Sequence, residues 1–306
     1  MEQFFSETET GALPPSHMAI SDYAYDKSNI IVFTTRLSPS LLEFWSDEFN
    51  FECSLRLLDD LKQQQKIADI KFHQQRHKAL LTVLFTRYVI NLVLGISNPF
   101  APVSFTYNEY GKPLLPDFQF NSSSSNNIVC MVVEFSTHPI GVDLSHSKQK
   151  ISNVNYLEEF RPIFDESEIP QVDTYFKFNH FWTLKEAFTK LLGSGLNIEL
   201  AGFCFEVGEG FNAETYKYVG KQSQSGCYDY TLPWFQDVKV NVDKLKEKKN
   251  QFLESLEKEE FYCYSSILEN GMGGDLPVII TIINQNKDKT VRPIEVQLER
   301  ILNDYI

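Results

Sequence analysis

Short β-rich apolar runs alternate along the chain with stretches whose apolar residues recur at helical spacing. NIIVFTT (29–35) predicts a first strand, and the Ser38-Pro39-Ser40 cap signal predicts a helix behind it. Residues 56–92 carry Leu57, Leu58, Leu61, then Ala79, Leu80, Val83, Leu84, Tyr88 and Leu92 at helical intervals, which reads as two helices. VSFTYNEYGKPLLPD (103–117) reads as strand, turn and extended segment, because Gly111 punctuates it while Pro113 and Pro116 oppose a helix. The Ser/Asn-rich stretch 121–127 predicts a loop, IVCMVVEF (128–135) a buried strand, and IGVDLS (140–145) another.

FDESEI (164–169) looks like a helix start, with acids near the positive end of the dipole. In FNHFWTLKEAFTKLLGSGL (178–196), Phe181, Leu184, Phe188, Leu191 and Leu192 form a core face, and Gly193 supplies the stop. Trp182, Glu186 and Lys190 make a separate line at i, i+4, i+8. GFCFEVG (202–208) is a strand, 243–260 a charged segment, and FYCYSSIL (261–268) with LPVIITII (276–283) a closing pair. The order is mixed α and β, and each half reads as one αβ unit. The expected division is a tail at 1–17, an N-terminal half at 18–138 and a C-terminal half at 139–306.

Composition narrows the class. The 306 residues are 42% hydrophobic and 23% charged, as in a globular protein. A net charge of −13 argues against broad nucleic-acid or anionic-membrane binding, so any phosphate must sit in a local basic pocket. The five scattered cysteines include no C-x-x-C pair and suggest a reducing compartment. No apolar run approaches the roughly 20 residues of a membrane span, and MEQFFSETETGALPPSH lacks the basic start and apolar stretch of a signal peptide. The expectation is a soluble, cytoplasmic monomer.

Asp143 is an acid inside an apolar strand, where an unpaired buried carboxylate costs several kcal/mol. It either bonds backbone amides at a strand end or serves a metal or catalytic site. Glu186 and Lys190 share a helix face, and a simple i, i+4 ion pair explains them equally well on that evidence.

Two motifs bear a more specific resemblance. GVDLSH (141–146) is similar to the G-[IV]-D segment of the large, pseudo-dimeric 4′-phosphopantetheinyl transferases, and WTLKEAFTKLLGSGL (182–196) resembles their W-x-x-K-E-[SA]-x-x-K-x-x-G-x-G-L helix at nearly every defined position. YNEYGKPLLPD (107–117) resembles the family's G-K-P segment, and FQFN (118–121) its F-x-F-N.

The resemblance implies an α/β (α+β) fold of two related halves with a cleft between them. It implies a transferase that moves phosphopantetheine from coenzyme A to a serine of an apo carrier protein, releasing adenosine 3′,5′-bisphosphate. The carrier suggested is the domain of an aminoadipate reductase in lysine biosynthesis. Asp143 and Glu186 would hold Mg²⁺, Glu186 would act as base, and Lys190 and Lys185 would stabilise phosphate charge. Gly111 and Lys112 would approach the nucleotide. Arg76 or Lys78, in the basic helix start KFHQQRHK (71–78), would reach the 3′-phosphate, although a solvated basic face explains them as well.

Two departures stand out. Ser145 occupies the place of a second strand acid that many members carry, and Ser123 and Ser124 stand where the family has a Ser-His pair. Both leave room for a different class, a non-catalytic coenzyme A binder or scaffold that kept the fold. KLKEKK (244–249) is either a docking patch for an acidic carrier or a solvated helix.

Overall fold

A computed structural model describes residues 29–146, 156–216, 227–268 and 277–306. The tail expected at 1–17 lies outside the described residues. The first unit opens with β1 (Asn29–Arg36), α1 (Pro39–Phe44), α2 (Glu48–Arg56), α3 (Leu61–Ala68) and α4 (His73–Leu94). Ser38 caps α1 through the Leu41 amide at 3.1 Å, with Pro39 in the first turn where its missing N–H is harmless. The unit continues with β2 (Thr106–Tyr107), β3 (Pro113–Leu114), β4 (Gln119–Ser125) and β5 (Ile128–Glu134).

β4 corrects the sequence reading, which expects a loop over 121–127. Seven residues pair antiparallel with β5, from Gln119 opposite Glu134 to Ser125 opposite Ile128, and the chain reverses at Asn126 with φ 54°. Serine has little strand preference of its own. The fully buried β5 supplies the template, and an edge strand with one wet face tolerates the composition.

The second unit comprises β6 (Gly141–His146), α5 (Tyr156–Glu159), α6 (Tyr175–Leu192), β7 (Cys204–Val207), β8 (Cys227–Asp229), β9 (Val238–Asn241), α7 (Asp243–Glu247), α8 (Gln251–Glu254), β10 (Tyr262–Leu268) and β11 (Val278–Asn284). FDESEI is not a helix start. α6 begins eleven residues after Phe164, capped by Thr174, whose hydroxyl accepts the Lys177 amide at 3.2 Å.

The strands form a five-stranded sheet in the order β4-β5-β1-β12-β8 and a three-stranded sheet in the order β10-β11-β6. The same connectivity occurs twice: a strand, a long helix, then a hairpin whose second strand inserts between its first strand and the opening one. It gives β4-β5-β1 beside α4 and β10-β11-β6 beside α6, every pair antiparallel.

Three elements beyond residue 138, β8 and the last two, depart from a simple division there, for β8 joins the five-stranded sheet. β12 (Thr290–Val296) runs parallel to β1, with Val32 opposite Pro293, and α9 (Leu298–Asn303) packs into the first unit's core. Neither element is evident in TVRPIEV, because a proline inside an apolar run argues against a central strand. Pro293 still accepts the Tyr230 amide through its carbonyl, at 3.2 Å.

β1 is buried on both faces. Ile31 and Phe33 join a core beneath α1 to α4, while Ile30 and Val32 join a second core that reaches across to Val142, Ile280 and Ile282 of the smaller sheet. A third core lies between α6 and the strands and helices that follow it. α4 is long and apolar enough, by length and composition, to cross a membrane, yet Leu80, Leu84, Phe85 and Tyr88 are fully buried in the first core.

Gly141 marks the closest approach of β6 to α6. A Cβ there would collide with the Ala187 carbonyl and the Leu191 amide, both backbone atoms that cannot swing aside. Gly141→Ala is expected to lower stability by about 2 kcal/mol or more, measured by denaturant unfolding, because overpacking against main chain forces the strand off the helix. Unchanged stability would show that the contact is not tight.

Candidate active site between β4, β6 and α6

β6 is the edge strand of the smaller sheet, and the backbone groups of Val142 and Leu144 face away from β11. No strand pairs with them. Asn121 Oδ1 accepts the Val142 amide at 3.0 Å and Ser123 Oγ accepts the Leu144 amide at 3.2 Å. The β4 serine run thus serves β6 through side chains at alternate positions, while Ser124, one residue on, points to the exposed side.

Between those two amides sits Asp143, 6% exposed. Its Oδ1 accepts Ser123 Oγ–H at 2.9 Å and Lys190 Nζ at 2.7 Å, and Lys190 Nζ also donates to Ser123 Oγ at 3.1 Å. Ser123 therefore uses its one donor and both lone pairs. Lys190 pairs with Asp143, from another element, rather than with Glu186 one turn back, so the local i, i+4 explanation fails for this helix. Glu186 is half-buried on the same side of α6. Burial pushes its pKa up, the Asp143 carboxylate pushes it further, and Lys190 partly offsets both. Asp143 is likewise raised by burial, against the Lys190 ammonium and the Ser123 hydroxyl.

Asp143, Lys190 and Ser123 thus form one hydrogen-bonded cluster, Glu186 feels the charges of Asp143 and Lys190, and Lys190 also lines a cavity of about 240 Å³ together with Gly111, Lys112, Asn121, Thr189 and Gly193. Asn121 and Thr189 carry no role in the sequence reading. Asn121 stands within the F-x-F-N stretch, where period-two alternation with Ser123 was its only signal.

Other expected residues go elsewhere. Lys185 does not face phosphate: its Nζ is fully buried, 2.7 Å from Glu168 and donating to the Leu200 and Phe203 carbonyls at 2.8 and 2.6 Å. Adjacent residues on a helix point about 100° apart, so Lys185 enters the core while Glu186 faces the cleft. Burial raises the pKa of Glu168 and lowers that of Lys185, against their mutual attraction. Glu168 belongs to the stretch read as a helix start; its acids instead serve Lys185 and, through Asp165, Lys244.

Arg76 lies 4.7 Å over the Phe51 ring and bonds His73 at 3.0 Å, and neither it nor Lys78 lines the cavity. Ser145 donates to Asn179 Oδ1 at 2.8 Å and ties β6 to α6. Three of the four KLKEKK lysines are taken by the protein's own acids: Lys244 by Asp165, Lys246 by Glu259 at 2.6 Å and Lys248 by Glu199 at 2.5 Å. That pairing removes most of the positive face a docking patch needs.

The model of the 4′-phosphopantetheinyl transferase superfamily matches residues 139–261, the stretch that holds β6 and α6. Residues 139–261 are similar to the domain of that superfamily. The chain is 31% identical over 172 residues to an L-aminoadipate-semialdehyde dehydrogenase-phosphopantetheinyl transferase of Candida glabrata, covering 52% of this chain and 64% of the relative. It is 31% identical over 150 residues to a 4′-phosphopantetheinyl transferase of Bacillus subtilis, covering 46% and 63%. The Saccharomyces cerevisiae protein with the same name as the Candida one is 28% identical over 195 residues, covering 60% and 69%. The chain thus spans less than two thirds of the Candida and Bacillus relatives. In the matched stretch, the two acids and the lysine stand on the two elements joined by the tight Gly141 crossing.

Two outcomes follow from the electrostatics. Lys185→Met is expected to cost about 3–5 kcal/mol in unfolding experiments, because it strands Glu168 as a buried charge; intact stability with weakened coenzyme binding would return Lys185 to the site. A carboxylate can bind a cation only when deprotonated, and the folded pKa values of both carboxylates lie above the ordinary values of about 3.9 for Asp and 4.3 for Glu. Divalent-cation affinity, followed by calorimetry, should therefore begin to fall on acidification at a pH above that range. A flat profile down to about pH 4.5 would contradict this.

Proposed function

We propose that the protein transfers 4′-phosphopantetheine from coenzyme A to a serine hydroxyl of an apo carrier protein, releasing adenosine 3′,5′-bisphosphate. The observation that carries the reading is the pairing of Asp143 with Lys190 from two separate elements, with Glu186 feeling both charges and Lys190 lining a cavity of about 240 Å³. The names of the yeast relatives favour the carrier domain of an aminoadipate reductase as substrate.

The donor set suits a hard cation. Asp143 and Glu186 would supply carboxylate oxygens, and Mg²⁺ usually takes one or two carboxylates and completes its shell with substrate phosphate and water. Bound Mg²⁺ would neutralise charge on the pyrophosphate. Glu186, with its raised pKa, takes the proton from the carrier serine as the serine oxygen forms a bond to the β-phosphorus. The bond from that phosphorus to the oxygen bridging to the α-phosphorus breaks, and the electron pair leaves with the bisphosphate. Lys190 places an ammonium where phosphate charge develops, and Ser123 holds both Lys190 and Asp143 in place. Gly111, at φ 85°, lets the β2–β3 turn approach the cavity without a side chain.

In the same reading the protein is a cytoplasmic monomer. The reading of a reducing compartment rests on the five scattered cysteines, which include no C-x-x-C pair. The net charge of −13 disfavours nucleic acid and anionic membrane as partners.

Incubation with coenzyme A, Mg²⁺ and an apo carrier domain should raise the carrier's mass by one phosphopantetheine. Asp143→Asn and Glu186→Gln should each slow transfer by about 100-fold or more while circular dichroism stays unchanged, because a neutral amide supplies neither the charge nor the base. Coenzyme A binding with no transfer to any carrier would favour the scaffold reading, and full activity in both variants would remove these residues from the site.

A further inference from the structure

Lys112 lines the cavity with its stem, yet its ammonium is committed elsewhere. Nζ donates to the Lys190 carbonyl at 2.8 Å, the Leu191 carbonyl at 3.1 Å and the Ile140 carbonyl at 3.5 Å. The first two are among the last carbonyls of α6, at the negative end of its dipole, and the Lys190 carbonyl accepts the Gly193 amide at 3.2 Å as well. The third belongs to the residue that leads into β6, three positions before Asp143. One ammonium thus ties together the ends of the two elements that carry the site.

Its neighbour in the hairpin completes the grip. Asn108 Nδ2 donates to the Gly193 carbonyl at 2.9 Å, and Asn108 Oδ1 accepts the Lys112 amide at 2.8 Å. A Cβ at Gly193 would meet Asn108 Nδ2 at 2.8 Å and Lys112 Cδ at 3.1 Å, so the hairpin is seated closely on the helix end. Gly193 itself adopts φ 68°, the left-handed stop of α6. Burial lowers the Lys112 pKa to about 8, which leaves the group largely charged at neutral pH with three protons for three carbonyls.

We infer that Lys112 is a positioning residue: it fixes the C-terminal end of α6 against the start of β6 and so sets Lys190 and Glu186 relative to Asp143, instead of binding coenzyme phosphate. The inference rests on the transferase reading for its catalytic consequence and on the contacts above for its geometry. Lys190 is held at both ends, by Asp143 at its side chain and by Lys112 at its carbonyl. Loss of the ammonium removes the bridge from the Lys190 and Leu191 carbonyls to Ile140, leaving the Lys190 carbonyl only its Gly193 amide, and lets the helix end drift from β6. Small misplacement of reacting groups lowers turnover more than substrate affinity.

The test pairs kinetics with chemical labelling. Lys112→Met should lower kcat for carrier modification by about tenfold or more, with the KM for coenzyme A changed by less than about twofold. A raised KM at unchanged kcat makes Lys112 a coenzyme ligand and overturns the proposal, as does no change in either. The second arm uses the unaltered protein and needs no activity. Acetic anhydride labelling read by peptide mass spectrometry should modify Lys112 at least about tenfold more slowly than exposed Lys66, equally with and without coenzyme A, since buried ammonium is shielded. Labelling as fast as Lys66, with protection by coenzyme A, refutes the inference even where Lys112→Met fails to fold. Absence of transfer by the unaltered protein would sink the transferase reading alone, because the labelling still decides whether the ammonium is held.

Discussion

An unpaired strand edge governs this structure. β6 is bonded to β11 on one side only, and buried amides on the other side would each cost about as much as a lost hydrogen bond. A further strand in register would satisfy them and bury Asp143 behind it. Instead β4, the edge of the other sheet, reaches across with Asn121 and Ser123. Side chains in place of backbone hold the sheets apart by the length of those side chains, and that separation admits Lys190 to the Asp143 carboxylate. The junction of the two sheets and the site are the same set of contacts.

Two lysines on one helix show how burial divides structural from chemical charge. Lys185 and Lys190 each meet a carboxylate at 2.7 Å, yet the first pair is fully buried while the Lys190 side chain is 28% exposed. A sealed pair gains nothing further from a ligand and loses much if broken. A pair open to a cavity can exchange partners when phosphate arrives. Position on the helix, about 100° per residue, separates the fates of Lys185 and Glu186, while the core of Phe203 and Phe205 closes over Lys185.

The helix α6 is also the element most constrained from outside. Its start is capped by Thr174, its middle is crossed tightly at Gly141, and its end is gripped by Asn108 and Lys112. The hairpin that grips it belongs to the first unit and the helix to the second. Coupling between the units thus passes through the site-bearing helix, which gives the G-K-P turn of this chain a mechanical part beside the cavity it lines.

Much of this was legible in the residues. The apolar periods of α4 and α6, the cap at Ser38 and the buried β5 follow from local spacing, because helix period, strand alternation and capping are short-range properties, whereas Asp143, Glu186 and Lys190 stood out as a site only through the motif resemblance. Three things were not. The serine strand β4 is decided by the neighbour it pairs with, the proline-bearing β12 by a parallel slot beside β1 some 260 positions away, and the duties of Lys185 and Lys112 by which carbonyls and acids the fold brings to them. Sequence sets which groups are charged and where a helix can turn. Only the packed tertiary structure settles which partner each charge meets, because hydrogen bonds and ion pairs act over a few ångströms in space and carry no mark of distance along the chain.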